Sequence, residues 1–504
     1  MKKSILTRIF AFLFAILMLV SVIACTNDPD KEKESDNSAV TDPLLPEDDS
    51  SQVGSETERS WETTNFYNGD TFTVLAYDAA GKHTWSTVPE DIYVAKNDGD
   101  VLSSAIYQRA LIIKDKVGVQ IDVVRWHDGF GNELVRDIND GEYKYQLVIP
   151  QTLAIGTLVN NSSITSVNKT GFDFTYPWYD QRTADSLTIK GKTVAVASDM
   201  TFIDKLCAIA VFYNKQMASD NNLGDLYEMV NNKDWTFIKM LEMAESVVPA
   251  VDEDGTYTVD DTYGISCQND GAYYFYHASG LTSVSRKADG GLRLTFNSEA
   301  SVSVLEDVLK LTANKRVYLN AQSSSTKMAT VSEIAEHFAS GKALFLVRPL
   351  QSLFDLSQAT DNYGIIPMPM MTEGQENYYT PVNPHASSQI CFPSKMTNPE
   401  MTEDVVQWLG DYSHKSITPI FYEVVLGSRM TQDKDSPKML DIIFASRIYD
   451  IGYIWDVTNV RALLTSNIGP AKLNEGTVKT TIDRYITPMN LMLGKLETSI
   501  GGLE

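Results

Sequence analysis

Aromatic residues stand beside polar residues at several predicted loop positions. These clusters are Tyr77-Asp78, Trp178-Tyr179-Asp180, Tyr273-Tyr274 and Tyr276. Sugars present apolar C–H faces and a rim of hydroxyl groups, so a sugar site needs flat aromatic surface and a few fixed polar groups. The clusters therefore indicate carbohydrate binding. Packing of each ring in a domain core is the alternative, and for Trp178 and Tyr179 the sequence favours neither interpretation.

Further candidates follow the ends of predicted strands or lie in polar loops. Trp126 and Gln151 each follow a predicted strand, and His385 lies in the segment Asn383–Ser388. Arg348 ends a strand predicted at Ala343–Val347, and two roles stay open for it: an ion pair within the fold, or a hydrogen bond to a ligand. The predicted ligand contacts are Asp78, Trp126, Gln151, Trp178, Tyr179, Asp180, Tyr273, Tyr274, Tyr276, Arg348 and His385.

The sequence carries none of the common catalytic motifs. G-x-S-x-G, H-E-x-x-H and the P-loop are missing, and Gly129-Phe130-Gly131 does not extend to a dinucleotide-binding fingerprint. The histidines show no metal-ligand spacing. Cys207, Cys267 and Cys391 are widely separated along the sequence, and we interpret them as buried thiols that pack like small apolar residues. We therefore predict no catalytic residue, no metal and no cofactor. Glycoside hydrolysis by a carboxylate pair stays open as the alternative, because acidic residues are plentiful.

The first folded segment alternates predicted strands with a predicted helix. The strands are Thr71–Ala76, Val119–Val124 and Tyr145–Ile149, and the helix is Asp100–Val117, ending at Gly118. This order is typical of βαβ units in a mostly parallel sheet. Ligands of such sheets bind beyond the carboxyl ends of the strands, where several of the candidate residues lie.

The rest of the chain is predicted to be mixed. Lys192–Ser198 and Ala208–Tyr213 have the apolar composition of strands, and Asn269–Leu281 is predicted to be an aromatic loop. The region after Asn398 is predicted to be largely helical, most clearly at Ser436–Ile448.

Length and charge limit the possible functions. A chain of 504 residues exceeds the size of a single hydrophobic core, about 250–300 residues, so we expect two domains. The formal net charge of −24 makes the surface repel phosphate groups, which argues against a nucleic-acid partner and against adsorption to anionic lipids.

The N-terminus has the parts of a secretory signal peptide, predicted at residues 1–24. Basic residues precede the apolar run Ile9–Val20, and small residues precede Cys25. The apolar run is shorter than the roughly 20 residues that span a membrane. The residues around Cys25 resemble the lipobox of bacterial lipoproteins, which implies an acylated Cys25; plain secretion and a retained anchor are the alternatives. The acidic, polar residues 26–60 predict a disordered tether.

Several short motifs follow one another behind this lipobox. They are Gly99-Asp100-Val101-Leu102, Ile106-Tyr107-Gln108-Arg109, Pro177-Trp178-Tyr179-Asp180, Ala210-Val211-Phe212-Tyr213-Asn214-Lys215, Asp225-Leu226-Tyr227, Asp234-Trp235-Thr236, Gly341-Lys342-Ala343-Leu344-Phe345 and Tyr363-Gly364-Ile365-Ile366-Pro367. In this order, over about Trp61–Glu504, the chain resembles the family 1 extracellular solute-binding proteins, the capture subunits of ATP-driven sugar importers.

The resemblance implies an α/β, two-lobed periplasmic-binding-protein-like (Venus flytrap) fold with hinge-crossing strands. Lobe 1 would comprise residues 61–206 plus 348–410, and lobe 2 residues 207–347 plus 411–504. The expected function is capture of a carbohydrate, an oligosaccharide in particular, for an ABC importer. The expected partners are this ligand, the permease subunits and the membrane, reached through a lipid anchor at Cys25 on the extracytoplasmic face. We expect a monomer.

Overall fold

A computed structural model describes residues 61–78, 91–126, 130–249, 257–323, 326, 328, 330–359, 362–426, 434–464 and 477–503. The predicted signal peptide, the lipidation site at Cys25 and the acidic tether lie outside these residues. None of the helices within the described ranges is long and apolar enough to cross a membrane.

Short strands and helices alternate along the described chain. The strands are β1 Thr71–Tyr77, β2 Gln120–Trp126, β3 Leu147–Ile149, β4 Thr188–Ile189, β5 Lys192–Thr193, β6 Ile209–Asn214, β7 Tyr263–Cys267, β8 Val284–Arg286, β9 Leu292–Leu294, β10 Tyr318–Asn320, β11 Ala343–Pro349, β12 Tyr363–Ile366, β13 Thr380–Pro381 and β14 Arg447–Ile448. The α-helices are α1 Val101–Val117, α2 Phe130–Asp140, α3 Ile155–Asn160, α4 Gln181–Ser186, α5 Ile203–Leu206, α6 Lys215–Asp220, α7 Leu226–Asn231, α8 Phe237–Ser246, α9 Gly271–Ala278, α10 Glu299–Ala313, α11 Val331–His337, α12 Leu353–Ala359, α13 Pro399–Tyr412, α14 Thr418–Ile420, α15 Ser436–Ala445, α16 Ile451–Ile454, α17 Val460–Ala462, α18 Val478–Asp483 and α19 Ile486–Gly501.

Strand β1 lies at the centre of a three-stranded parallel sheet in the order β2-β1-β3. Successive side chains of a strand point to opposite faces of a sheet. Accordingly Phe72 and Val74 pack in one hydrophobic cluster, and Leu75 and Tyr77 pack in another. The predicted order of strands and helix and the predicted parallel pairing are confirmed here.

Helix α1 begins and ends where the sequence predicts. The Asp100 side chain accepts a hydrogen bond from the backbone N–H of Ser103 at 3.0 Å and so caps the first turn. Gly118 follows the helix in the left-handed conformation, with φ of 72°, and its N–H donates to the carbonyl of Lys114. A glycine fits this position because it has no Cβ to strain that conformation.

The second sheet is mixed and has five strands in the order β10-β7-β11-β6-β12. Strand β6 runs antiparallel to β11 and β12, whereas β10, β7 and β11 are parallel to one another. Phe212 and Leu346 face one hydrophobic cluster, and Val211 and Val347 face another. Because β7 and β11 are parallel, their carboxyl ends meet at the same edge of the sheet.

Two chain segments connect the sheets. Ala208, directly before β6, forms an antiparallel bridge with Val382. Cys391, further along the segment that begins at Val382, exchanges backbone hydrogen bonds of 2.8 and 3.0 Å with Val148 of β3. Residues 382–391 therefore run from the start of β6 to the three-stranded sheet.

Two predicted elements differ from the structure in type or extent before residue 300. The loop predicted at Asn269–Leu281 contains helix α9, in which every residue is buried. Sequence propensity is a weak guide for such an aromatic segment, because packing on all sides decides its conformation. The strand predicted at Lys192–Ser198 is confined to β5, and beyond it Val196 and Ser198 form only single bridges, to Ile390 and Tyr179.

Candidate ligand-binding site

The carboxyl ends of the strands supply the first residues of the candidate site. Tyr77 and Trp126 are partners in the register of β1 and β2, and the backbone N–H of Asp78 donates to the carbonyl of Trp126 at 3.0 Å. Gln151 follows β3 in the same sheet. In the second sheet, Val347 is the partner of Cys267, which places Gln268 and Arg348 together at the carboxyl ends of β7 and β11.

Gln151 and His385 join this sheet edge to the C-terminal part of the chain. The side-chain amide of Gln151 donates to the Tyr77 hydroxyl at 3.3 Å and to the His385 carbonyl at 2.5 Å. His385 Nε2 lies 3.2 Å from the hydroxyl of Tyr453, in α16. Two predicted contacts from distant parts of the sequence are thus brought together, with Tyr453 as a third member that the sequence analysis did not single out.

Helix α9 places two further predicted contacts beside this group. The Tyr273 ring centre lies 4.2 Å from that of Tyr453, and its hydroxyl donates to the Val382 carbonyl at 3.0 Å. The Tyr274 hydroxyl lies 3.4 Å from Nδ2 of Asn383 and also accepts a hydrogen bond from Gln268. The helix therefore holds both hydroxyls against the segment that connects the two sheets.

Burial keeps these titratable groups neutral near physiological pH. It lowers the pKa of His385 below its ordinary value; Asp270 opposes this shift and Arg461 adds to it. Burial also raises the pKa values of Tyr273, Tyr274 and Tyr453 well above the usual range. The group therefore offers a neutral imidazole and protonated phenols, which donate and accept hydrogen bonds without charge.

Trp178, Tyr179 and Asp180 lie apart from the group around His385. The Trp178 ring stacks on Tyr176 at 4.6 Å, and both Trp178 and Tyr179 are 3 % exposed within the cluster that covers one face of the three-stranded sheet. Asp180 forms ion pairs with Arg447 and Arg182. These residues border a separate cavity of about 510 Å³.

Tyr276 also points away from the group. Its hydroxyl lies 2.9 Å from Oγ of Ser301, and its ring packs edge-on against Phe296 at 5.6 Å. Tyr276 shares one helix with Tyr273 and Tyr274: it lies three residues from Tyr273, on the same side of the helix, and two residues from Tyr274, on a different side. The helical repeat alone therefore does not separate Tyr276 from Tyr273; its contacts with Ser301 and Phe296 do.

The structure adds residues that the sequence analysis did not select. Gln268 and Asp270 follow β7, with Nε2 of Gln268 3.2 Å from Oδ2 of Asp270, so the strand-end rule could have found them. Asn383, Tyr453 and Arg461 lie outside any parallel strand, and no pattern of spacing marks them.

Comparison with known proteins now identifies the family. Residues 112–416, well over half of the chain, match the family described as bacterial extracellular solute-binding protein. The chain belongs to this family. A comparison with curated proteins gives no match.

Solved structures share the fold of this solute-binding protein. A cyclo/maltodextrin-binding protein complexed with maltotetraose is 15 % identical, with a TM-score of 0.54 over 86 % of this chain and 97 % of the other. A maltose-maltodextrin binding protein of Alicyclobacillus acidocaldarius is 13 % identical, with a TM-score of 0.52 over 83 % and 100 %. A solute-binding protein of Thermotoga lettingae bound with α-D-tagatose is 15 % identical, with a TM-score of 0.52 over 84 % and 100 %.

These findings confirm the predicted family and the predicted two-lobed α/β fold. They also confirm that the chain belongs among binding proteins and not among enzymes. The glycoside hydrolase alternative thereby loses its support. The family is extracellular, in agreement with the predicted export of the chain.

Proposed function

We propose that this solute-binding protein captures a carbohydrate, an oligosaccharide in particular, between its two lobes and delivers it to an ABC importer. The observation that carries the proposal is the hydrogen-bonded group of Gln151, Tyr77, His385 and Tyr453. This group combines aromatic rings with uncharged hydrogen-bond donors and acceptors. Tyr77 belongs to the three-stranded sheet and Gln151 follows its strand β3, His385 belongs to the segment that connects the two sheets, and Tyr453 to α16. Sugar hydroxyls and C–H faces need this combination.

The proposed contact set follows from the placement of these side chains. We retain Asp78, Trp126, Gln151, Tyr273, Tyr274, Arg348 and His385 from the sequence analysis and add Gln268, Asp270 and Tyr453. Trp178, Tyr179, Asp180 and Tyr276 are left out, because their side chains pack or pair elsewhere.

We propose lobes of residues 61–206 plus 348–410 and residues 207–347 plus 411–504, with β12 (residues 363–366) assigned to the second lobe because it pairs with β6 in the five-stranded sheet. Closure of the two lobes about the connecting segments would exclude water from the bound sugar, as in hinge-type binding proteins. The carboxyl ends of both sheets supply members of the contact set, which supports a site at the junction of the lobes.

Thermal-shift titration against a panel of sugars, peptides and amino acids tests the carbohydrate proposal. At least one carbohydrate is expected to raise the unfolding temperature in a saturable way, because a ligand that binds only the folded state stabilises it. Saturation by peptides or amino acids, with no response to any sugar, would overturn the carbohydrate assignment.

We further propose that residues 1–24 are removed and that Cys25 anchors the protein to the outer face of the membrane. One acyl chain binds membranes only marginally, so stable anchoring implies more than one chain on Cys25. Residues 26–60 would then tether the monomeric binding unit near its permease and raise its local concentration. A Cys25→Ser variant should bind solute normally but appear in the medium; loss of solute binding would contradict the separation of anchor and binding unit.

A further inference from the structure

Arg348 is buried near the carboxyl end of β11, beside members of the proposed contact set. It lies in β11, opposite Ala210 of β6, at the edge where Gln268 follows β7. Only 1 % of its surface is exposed. Its guanidinium interacts electrostatically with Tyr274 and Asp270 of the proposed contact set, and also with Cys267 and Asp355.

The guanidinium of Arg348 is poorly satisfied within the fold. Its Nε donates to Oγ of Ser352 at 3.0 Å, and Nη1 has no hydrogen-bond partner among the residues that the structure describes. It also forms no ion pair with a carboxylate of those residues. A guanidinium has five N–H donors and stays charged in proteins, so a buried one normally finds several partners.

Two other buried arginines show what a structural role looks like in this chain. Arg447 pairs with both Asp180 and Asp204. Arg109 donates to the carbonyls of Met200, Asp91 and Ile92 and to Oγ of Ser413. Arg348 has no such set of acceptors, which leaves its unused donors for a group that arrives from outside.

The site lies in a chain whose net charge is −24, so an anion is attracted only by local positive charge. Arg348 supplies such a charge near the carboxyl end of β11, and Arg461, 5.9 Å from the Tyr453 ring centre, supplies another beside His385 and Tyr453. Carboxylates match the planar fork of a guanidinium with two parallel hydrogen bonds. Removing such a buried group from water is costly unless an acceptor is present, which favours an anionic ligand over a neutral one.

We propose that Arg348 binds a carboxylate of the solute, and hence that the site takes an acidic carbohydrate containing uronic acid units. This inference rests on the proposed function and narrows its substrate class. Gln268, Tyr274 and His385 would form hydrogen bonds to the hydroxyl groups of the sugar, and Arg348 would form an ion pair with its carboxylate.

Calorimetric titration of the purified full-length protein tests the inference. The probes are short oligosaccharides of galacturonic, glucuronic and mannuronic acid, each compared with its own methyl ester, which keeps the sugar and removes the charge. We expect at least one free acid to bind about ten-fold or more tightly than its ester, the usual effect of leaving a buried charge unpaired. We expect Arg348→Gln to bring that ratio close to one, and Arg348→Lys to keep part of it.

The outcomes separate this inference from the function on which it rests. Equal binding of acid and ester, saturation by neutral sugars alone, or an acid preference that survives in Arg348→Gln would overturn the acidic substrate class and leave carbohydrate capture standing. Failure of every acidic and neutral sugar would overturn both. If Arg348→Gln does not fold, as judged by circular dichroism, the ratio of acid to ester in the unmodified protein still decides.

Discussion

Gly410 lies against the indole ring of Trp178, which packs beneath the three-stranded sheet. It lies within α13, and a Cβ built on it would come 2.3 Å from Cδ1 of Trp178. Trp178 is confined by Tyr176 on one face and by Trp61 at 5.9 Å, so it has little room to move. Gly410 is therefore required by the close approach of an indole ring to the helix backbone.

Gly410→Ala is expected to destabilise the protein by about 1–3 kcal/mol, because overpacking outweighs the helix propensity gained from alanine. Gly494→Ala in α19 is the matched control, since nothing lies within 4 Å of its Cβ position. That control should be neutral or stabilising by up to about 1 kcal/mol. Urea unfolding measures both changes; equal effects of the two substitutions would show that the contact with Trp178 is not restrictive.

His414 and Asp199 form a titratable pair 2.6 Å apart. The hydrogen bond to Asp199 raises the pKa of His414. Burial would raise the pKa of Asp199, but Lys205 and His414 together lower it to about 2. The folded state therefore holds the His414 proton more firmly than the unfolded state does. The resulting stability is present below the unfolded pKa of about 6.5 and is lost as pH rises through the folded value.

We expect the unfolding free energy of the wild type, relative to His414→Gln, to be larger at about pH 6 than at about pH 8. Glutamine keeps a hydrogen bond to Asp199 but does not titrate in this range. Denaturant titrations of both proteins at the two pH values give the difference. Parallel pH dependence of wild type and variant would refute a stabilising charge on His414.

The sequence located part of the candidate site at this scale and missed the rest for a physical reason. Gln151 follows β3 and Arg348 lies near the carboxyl end of β11, and parallel strands carry their carboxyl ends to a common edge, so their placement could be predicted. His385 and Tyr453 meet only because the chain between them folds back over the site. Such contacts depend on tertiary packing, which spacing along the sequence does not encode.

At the scale of elements, an ionic triad of Arg447, Asp180 and Asp204 joins β14, α4 and α5. Arg447 in β14 binds Asp180, which caps α4, and Asp204 in α5, at 2.6 Å for the second pair. The side chains of Arg447 and Asp204 are 4 % and 1 % exposed. A buried carboxylate such as Asp204 that loses its arginine is left charged in a poor solvent, so the triad fixes the relative placement of these elements.

Arg447→Met should destabilise the protein by about 3–5 kcal/mol, because both aspartates lose their buried partner. Arg182→Met is the control: Arg182 also pairs with Asp180, at 3.0 Å, but its side chain is 46 % exposed. That change should cost about 1 kcal/mol or less, as exposed pairs usually do. Chemical denaturation separates the two, and similar losses for both variants would contradict a special role for Arg447.

Elements with strong local signals were predictable, and those shaped by burial were not. Helix α1 has an aspartate cap and a terminal glycine, and both ends were predicted from the sequence. Helix α15 was predicted to extend to Ile448 but ends at Ala445, where β14 begins to pair with β13. Helix α9 was predicted as a loop, because buried tyrosines on all sides hide the helical period.

At the scale of the whole molecule, the order of short motifs predicted more than any single residue did. The predicted family and two-lobed α/β fold were confirmed by the match over residues 112–416 and by the shared fold of solved binding proteins. The predicted anchor at Cys25 and the lobe limits stay predictions. The identity of the solute could not be predicted, because specificity depends on the geometry of each hydroxyl contact.

Calorimetric titration of the Gln151→Ala variant tests carbohydrate capture at the junction of the lobes most directly. The titrant is a sugar that saturates the wild type. Gln151 bonds both Tyr77 and His385, whereas Gln181, the control, bonds the carbonyls of Phe174 and Tyr179 away from the site. Gln151→Ala should weaken sugar binding about ten-fold or more, as loss of buried hydrogen bonds does, and Gln181→Ala should leave it unchanged. Unchanged affinity in Gln151→Ala, with the variant fully folded, would place the sugar elsewhere.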